Sequence, residues 1–186
     1  MISTRAAVPV DASQLRDVYL ASYEDAYREL VPAGWLRDRL AQHRTVDWAR
    51  RLQDERSSGG EIVVALDDDR LIGLCQFGAP TNDDDDLLEV GHVRRLYVHP
   101  AWQRRGAGRA LMSLACATLR SRGCASATLW VLASDTTRAR PFYESLGWRN
   151  DGTIRPFEAE LAPEWAGRLD DVRYRTTLGE GGVPRV

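Results

Sequence analysis

Long apolar runs are missing from this 186-residue chain, and none approaches the ~20 residues that a membrane-spanning helix requires. Cysteine is scarce: Cys75, Cys116 and Cys124 are the only three. They show neither C-x-x-C nor mixed His/Cys ligand spacing, which argues against a metal site or a redox pair. An odd count without an export signal fits reduced thiols in the cytoplasm, and each lies in or beside an apolar stretch, where a small core residue is expected. Neither sign of charge dominates. With 25 basic and 27 acidic side chains the formal charge is −2, so the chain lacks the bulk basicity of a protein built to bind nucleic acid or an anionic membrane. The N-terminal segment carries one arginine and a short apolar stretch broken by Pro9, too little for a secretory signal.

What is present fits one globular domain over residues 1–178, with 179–186 as a C-terminal tail. Hydrophobic residues make up 44% and charged residues 28%, enough for a core and unlike a disordered chain. Ile2–Val8 reads as a first strand. Asp11 and Gln14 suggest a capping box before a helix whose face is Leu15, Val18, Tyr19, Ser22, Ala26 and Leu30. Pro32 and Gly34 then break the chain, and a second helix runs through Val46, Trp48, Ala49 and Leu52. Glu61–Leu66 and Leu71–Phe77 read as a hairpin turned at Asp67–Arg70.

After a polar loop, Thr81–Asp86, a long strand is expected over Leu88–Val98. Ala107, Ala110, Leu111, Leu114, Ala115 and Thr118 trace a helix face closed by Gly123. Thr128–Leu132 reads as a strand, and Ala139, Phe142, Tyr143 and Leu146 as a helix stopped by Gly147. A less regular stretch containing Pro156 and Pro163 leads to a last strand, Asp171–Leu178. The order β-α-α-β-β-β-α-β-α-β-β predicts a mixed sheet with helices on both faces.

The segment from Val93 to Leu111 carries the chemistry. A strand ends near Pro100, a basic turn follows, and a helix begins near Ala107. Gly106 and Gly108 let a ligand approach the backbone. The first N–H groups of a helix lack internal partners, and the helix dipole makes that end positive. Such a terminus suits an anion, and Arg104, Arg105 and Arg109 add charged donors. A dinucleotide fingerprint fails because Leu111 stands where the third glycine belongs. A phosphate loop of the Walker type fails because no Gly-Lys-Ser/Thr follows.

What remains, Gln103-x-x-Gly106-x-Gly108 after Leu96-Tyr97-Val98, resembles the coenzyme A pyrophosphate turn of the GNAT superfamily of N-acyltransferases. Ala139-Arg-Pro-Phe-Tyr-Glu-Ser-Leu-Gly-Trp148 is similar to that family's later motif. The resemblance implies an α/β (α+β) fold with a central mixed, partly splayed sheet flanked by helices. It implies acetyl-CoA as co-substrate, no metal, and direct attack of an amine on the thioester. Leu96, Tyr97, Val98, Gln103, Arg104, Arg105, Gly106, Ala107, Gly108, Arg109, Thr136, Ala139 and Arg140 are then the expected cofactor contacts.

Two positions depart from the family pattern. Thr136 stands where Asn is frequent, and His92 where many members carry a catalytic Glu. His92 is accordingly the candidate base, with Glu89 as the alternative. Tyr143 is the candidate acid for the leaving thiolate. Tyr23, Tyr27 and Trp35, with Glu24 and Asp25 beside them, are expected to line the acceptor side, and Asp83–Asp86 could attract a cationic amine. The expected partner is the amine of a small molecule or a peptide, with no nucleic acid and no membrane, and a homodimer is left open. A non-catalytic acyl-CoA sensor of the same fold is the alternative reading.

Overall fold

The computed structural model describes residues 1–80, 89–134, 138–157 and 169–179. Within them the elements run β1 (Ile2–Ala6), α1 (Ala12–Tyr27), α2 (Ala33–Arg44), α3 (Trp48–Ser57), β2 (Glu61–Asp67), β3 (Arg70–Gly78), β4 (Val90–Val98), α4 (Ala107–Ser121), β5 (Ser126–Leu132), α5 (Ala139–Glu144), β6 (Arg149–Pro156) and β7 (Asp170–Thr177). Short 3₁₀ turns occupy Pro9–Asp11 and Pro100–Trp102. The strands form one mixed sheet in the order β1-β2-β3-β4-β5-β7-β6. No helix among the described residues is long and apolar enough to cross a membrane.

By its contacts the chain divides into two compact units. One comprises Met1–Gly78 and Arg94–Cys116, the other Ala79–Val93 and Ala117–Val186. In the first, β1, β2 and β3 pair antiparallel. The β2–β3 hairpin turns where the sequence predicts, with Asp68 in the left-handed region at φ 53°, a conformation that Asp tolerates. Every residue of β3 after Arg70 is buried, so both faces of that strand are covered. Gly73 is required there, because a Cβ would lie 3.0 Å from Leu111 Cδ1 and 3.0 Å from the Tyr97 carbonyl oxygen.

Two local expectations are corrected in this unit. The capping box does not form. The Asp11 carboxylate instead accepts from the Val8 N–H at 2.8 Å and from both Arg5 Nη atoms at 2.7 and 2.8 Å. Hydrogen bonding to Arg5, against the effect of burial, holds its carboxyl below the usual range. The Gln14 Oε1 accepts from the Leu71 N–H at 2.9 Å and ties α1 to the hairpin. The second correction is α2, which occupies the stretch where Pro32 and Gly34 were read as a break. Pro32 precedes the helix with extended angles (φ −59°, ψ 141°), a place where proline costs no internal hydrogen bond. Only Leu36 and Leu40 are buried on α2, an i, i+4 pair too sparse to show a periodicity.

In the second unit β4 and β5 pair in parallel from Val90↔Ser126 to Val93↔Leu129, so the two strands share only part of their lengths. β7 pairs antiparallel with both β5 and β6. The strand that the expected order places between the last helix and the final strand, without bounds, is β6, which runs into the less regular stretch as far as Pro156. Its residues are almost all exposed, so it carries no alternation to read, and Pro156 at its end is acceptable on an edge strand. Gly91 allows α4 to lie close on β4, since a Cβ there would sit 2.7 Å from both Leu119 methyl carbons.

Candidate functional site

The basic turn is built from the end of β4 outward. The His99 N–H donates to the Ile72 carbonyl at 2.9 Å, and the His99 Nδ1 accepts from the Ala101 N–H at 3.2 Å. His99 is therefore a strand-end capping residue, as its position beside Pro100 suggests. Arg104 (φ 62°) and Gly106 (φ 94°) both adopt left-handed angles. The first turn of α4 closes with the Ala110 N–H on the Gly106 carbonyl at 3.0 Å. Among the described residues no backbone N–H from 104 to 109 donates a hydrogen bond.

Gly106 has nothing within 4 Å of a would-be Cβ, so the turn needs glycine for its φ and leaves open space above it. Ala107 is buried and anchors the helix, while Arg104, Arg105 and Arg109 are exposed and Gly108 is partly so. The arrangement offers several amide donors and three guanidinium groups to one anion, a fit to a pyrophosphate. The Gln103 side chain is engaged within the protein. Its Nε2 donates to the Val98 carbonyl at 3.4 Å and to Asp25 Oδ2 at 3.3 Å, bracing the turn against β4 and α1. Leu96, Tyr97 and Val98, all half-buried, complete β4 just before the turn.

An aromatic cluster lies in the same unit. Tyr19 and Tyr23, one turn apart on α1, meet Tyr97 with ring centroids 5.0 and 6.5 Å away. His43 of α2 sits edge-on to both, at 5.0 and 4.8 Å, and Tyr27 lies 4.4 Å from Tyr23. Trp48 of α3 closes the group 5.3 Å from Tyr19. Burial and the facing tyrosines push the Tyr97 phenol well above its ordinary range. Burial, then Arg39, Arg95 and Arg51, push His43 down to about 4. Tyr23 and Tyr27, expected on the acceptor side, thus fall in one cluster. Trp35 belongs to a neighbouring contact, with the Arg39 guanidinium 5.7 Å from its ring.

In the second unit His92 is buried on β4, its Nδ1 2.9 Å from Thr128 Oγ1. The pair results from register, since His92 and Thr128 are direct partners across the parallel β4–β5 ladder. The Thr128 hydroxyl also reaches the Gly91 carbonyl at 3.5 Å. Glu89 is exposed ahead of β4, and its carbonyl accepts from the Ala125 N–H at 2.8 Å. Tyr143 is buried on α5 with its ring 5.2 Å from Phe142 and 6.3 Å from Trp148. Ala139 opens that helix. The Arg140 Nε donates to the Tyr174 hydroxyl at 3.3 Å, and that hydroxyl donates to Glu144 Oε1 at 2.7 Å. Thr136, Asp83–Asp86, Pro163 and residues 180–186 lie outside the described residues.

His43, Arg51, Arg95 and Thr128, not singled out by the sequence reading, lie against the candidate residues in the structure. Tyr19 reads as part of a helix face and Tyr23 as an acceptor-side residue, and only the packing of α2, α3 and β4 brings Arg39, Arg51 and Arg95 toward the cluster.

A family model described as the acetyltransferase (GNAT) family matches residues 16–148. An uncharacterised N-acetyltransferase of Bacillus subtilis (strain 168), YuaI, is 26% identical over 132 residues, 71% of this chain and 72% of that protein. Among solved structures, the PaiA N-acetyltransferase of Thermoplasma acidophilum in complex with coenzyme A superposes with a TM-score of 0.73 at 18% identity, covering 95% of this chain and 99% of that one. YncA of Salmonella typhimurium with acetyl-CoA superposes with a TM-score of 0.67 at 19% identity, covering 100% and 99%. The two motifs that carry the resemblance, Gln103–Gly108 and Ala139–Trp148, lie inside the matched segment, and the mixed sheet with its helices is shared with both structures: the chain belongs to the GNAT family of acetyltransferases.

Proposed function

We propose that the protein transfers an acetyl group from acetyl-CoA to an amine by direct attack, with residues 1–178 acting as one acetyltransferase domain. The observation that carries this reading is the turn before α4. Its unpaired amides, its left-handed Gly106 and its three exposed arginines fit a pyrophosphate. The family match, which runs through segments of both compact units, supports the single domain. Three free cysteines agree with a cytoplasmic setting.

Acetyl-CoA, when bound, supplies an activated thioester. The protein's own groups have two proton tasks. An alkyl amine with a pKa of about 10.4 is protonated near neutral pH and must lose a proton before it can attack. This task is assigned to His92. If the Thr128 hydroxyl donates to the Gly91 carbonyl, it accepts from His92 Nδ1–H, and that tautomer leaves Nε2 as the proton acceptor. Tyr143, its ring fixed between Phe142 and Trp148, delivers its phenolic proton to the departing thiolate. The turn binds and orients through Arg104, Arg105, Arg109 and the amides of Gly106, Ala107 and Gly108.

Release of free thiol from acetyl-CoA with a panel of small-molecule and peptide amines tests the proposal. All 25 basic side chains are arginine, so no lysine of the enzyme competes as acceptor and the background is confined to the α-amino group. Amine-dependent release supports transfer. Binding of acetyl-CoA without release on any amine refutes it and identifies a sensor.

A further inference from the structure

The aromatic cluster of the first unit holds an excess of positive charge and hydrogen-bond donors. Arg95 on β4 donates from Nη1 to Gln76 Oε1 at 2.7 Å, a neutral acceptor. Glu55 is bound to the Gln76 amide nitrogen and, at 2.8 Å, to Arg94. Arg51 on α3 lies with its guanidinium 5.4 Å from the Trp48 ring. Among the described residues neither Arg51 nor Arg95 has a carboxylate at ion-pair distance.

Burial and the facing Arg95 make Arg51 easier to deprotonate than an ordinary arginine, with Tyr19 and Glu55 opposing only in part. The same cluster contains two buried polar atoms without a hydrogen-bond partner, Ser22 Oγ and Trp48 Nε1. Ser22 lies on the α1 face of Tyr19 by its i+3 spacing, and Trp48 packs 5.3 Å from Tyr19, ring centre to ring centre. Two guanidinium groups, a hydroxyl and an indole N–H therefore lie around the tyrosine rings, and among the described residues no carboxylate stands at ion-pair distance from either guanidinium. A second cation is the wrong occupant for such a place, and an anion is the right one.

Building on the acetyl-transfer reading, we propose that the acceptor amine also carries an anionic oxygen group, a carboxylate or a phosphate, which Arg51 and Arg95 hold beside the rings of Tyr19, Tyr23 and Tyr97. The rings pack against the body of the acceptor, and the arginines select for the anion and against polycationic amines.

The test uses binding as well as turnover. With coenzyme A present, a panel of N-acetyl-L-amino acids and their carboxamides is titrated by calorimetry. Acids should bind tighter than the matched amides by roughly tenfold or more. Arg51→Gln and Arg95→Gln should each shrink that preference, while Arg51→Lys and Arg95→Lys retain part of it; unchanged coenzyme A affinity shows that each variant is folded. Aminoethyl phosphate against ethanolamine separates phosphate from carboxylate selection. Equal affinity of acids and amides, an acid preference that survives both Gln substitutions, or no binding by any member overturns the inference. Selective anion binding with no thiol release from any amine would leave the anion site standing and remove the transfer reading. Turnover of amines without regard to the anion would do the reverse.

Discussion

His43 provides a quantitative handle on the acceptor cluster. In the folded protein it is half buried among Tyr19, Tyr23 and three arginines, which lower its pKa from an ordinary 6.5 to about 4. Between those values the unfolded chain binds a proton that the folded chain refuses, so stability must fall as pH drops through this window. The contribution is intact above 6.5 and is lost progressively toward 4. At about 1.36 kcal/mol per unit the whole interval corresponds to about 3 kcal/mol. Screening of a half-exposed ring by solvent brings the expected loss nearer about 2 kcal/mol.

Urea denaturation of wild type and His43→Gln across pH 7 to 4 isolates the effect, because every other ionisable group is common to both proteins. The wild type should lose about 2 kcal/mol more than the variant over that range. Parallel curves would show that neither burial nor the facing arginines depress His43 and would refute the reasoning. An anionic ligand placed at Arg51 and Arg95 cancels part of their field. The imidazole titration followed by NMR should therefore move upward from about 4 on addition of the ligand.

The remaining predictions concern the other groups. His92→Ala should lower kcat by about 10²-fold or more near neutral pH with acetyl-CoA affinity unchanged, as steady-state kinetics with a fixed amine will show. Tyr143→Phe keeps the packing against Phe142 and Trp148, so a fall in kcat at unchanged melting temperature assigns the hydroxyl to chemistry, and full activity assigns it to the core. Gly106→Ala forces an L-residue to φ 94° at a cost of roughly 1–2 kcal/mol, and should raise KM for acetyl-CoA about tenfold with little change in the kcat of saturated enzyme. Gly91→Val pushes side-chain carbons into Leu119 on α4 and should cost about 1–3 kcal/mol in urea melts.

Much of the fold was legible because its signals are local. The β2–β3 hairpin announces itself by two apolar runs around Asp67–Arg70, and the helix after Gly108 by its periodic face. The signals failed where tertiary contacts decide. α2 is held by two leucines, and β6 is an exposed edge whose place depends on pairing with β7. At the turn, residue types and spacing were enough to indicate an anion. The task of Gln103 was not legible, because its partners are Asp25 and Val98, the first distant in sequence.

The acceptor side shows the same division more sharply. Tyr19 and Tyr23 are equally consistent with a core stripe or a binding wall when read along α1, since a helix face is apolar in either case. The distinction lies in what is brought against them. Val46–Leu52, read as a helix for its apolar positions, also delivers Arg51, and the strand that delivers Tyr97 carries Arg95 two residues earlier on the same face of a regular strand. A formal charge of −2 spread over the chain conceals this local excess, because net charge averages over the surface whereas Coulomb interaction is decided within about a Debye length. A chain without bulk basicity can thus place two guanidinium groups near one imidazole with no carboxylate, among the described residues, at ion-pair distance from either. Where no carboxylate among the described residues stands at ion-pair distance from such a cluster, the anion site proposed above assigns the counter-charge to the substrate.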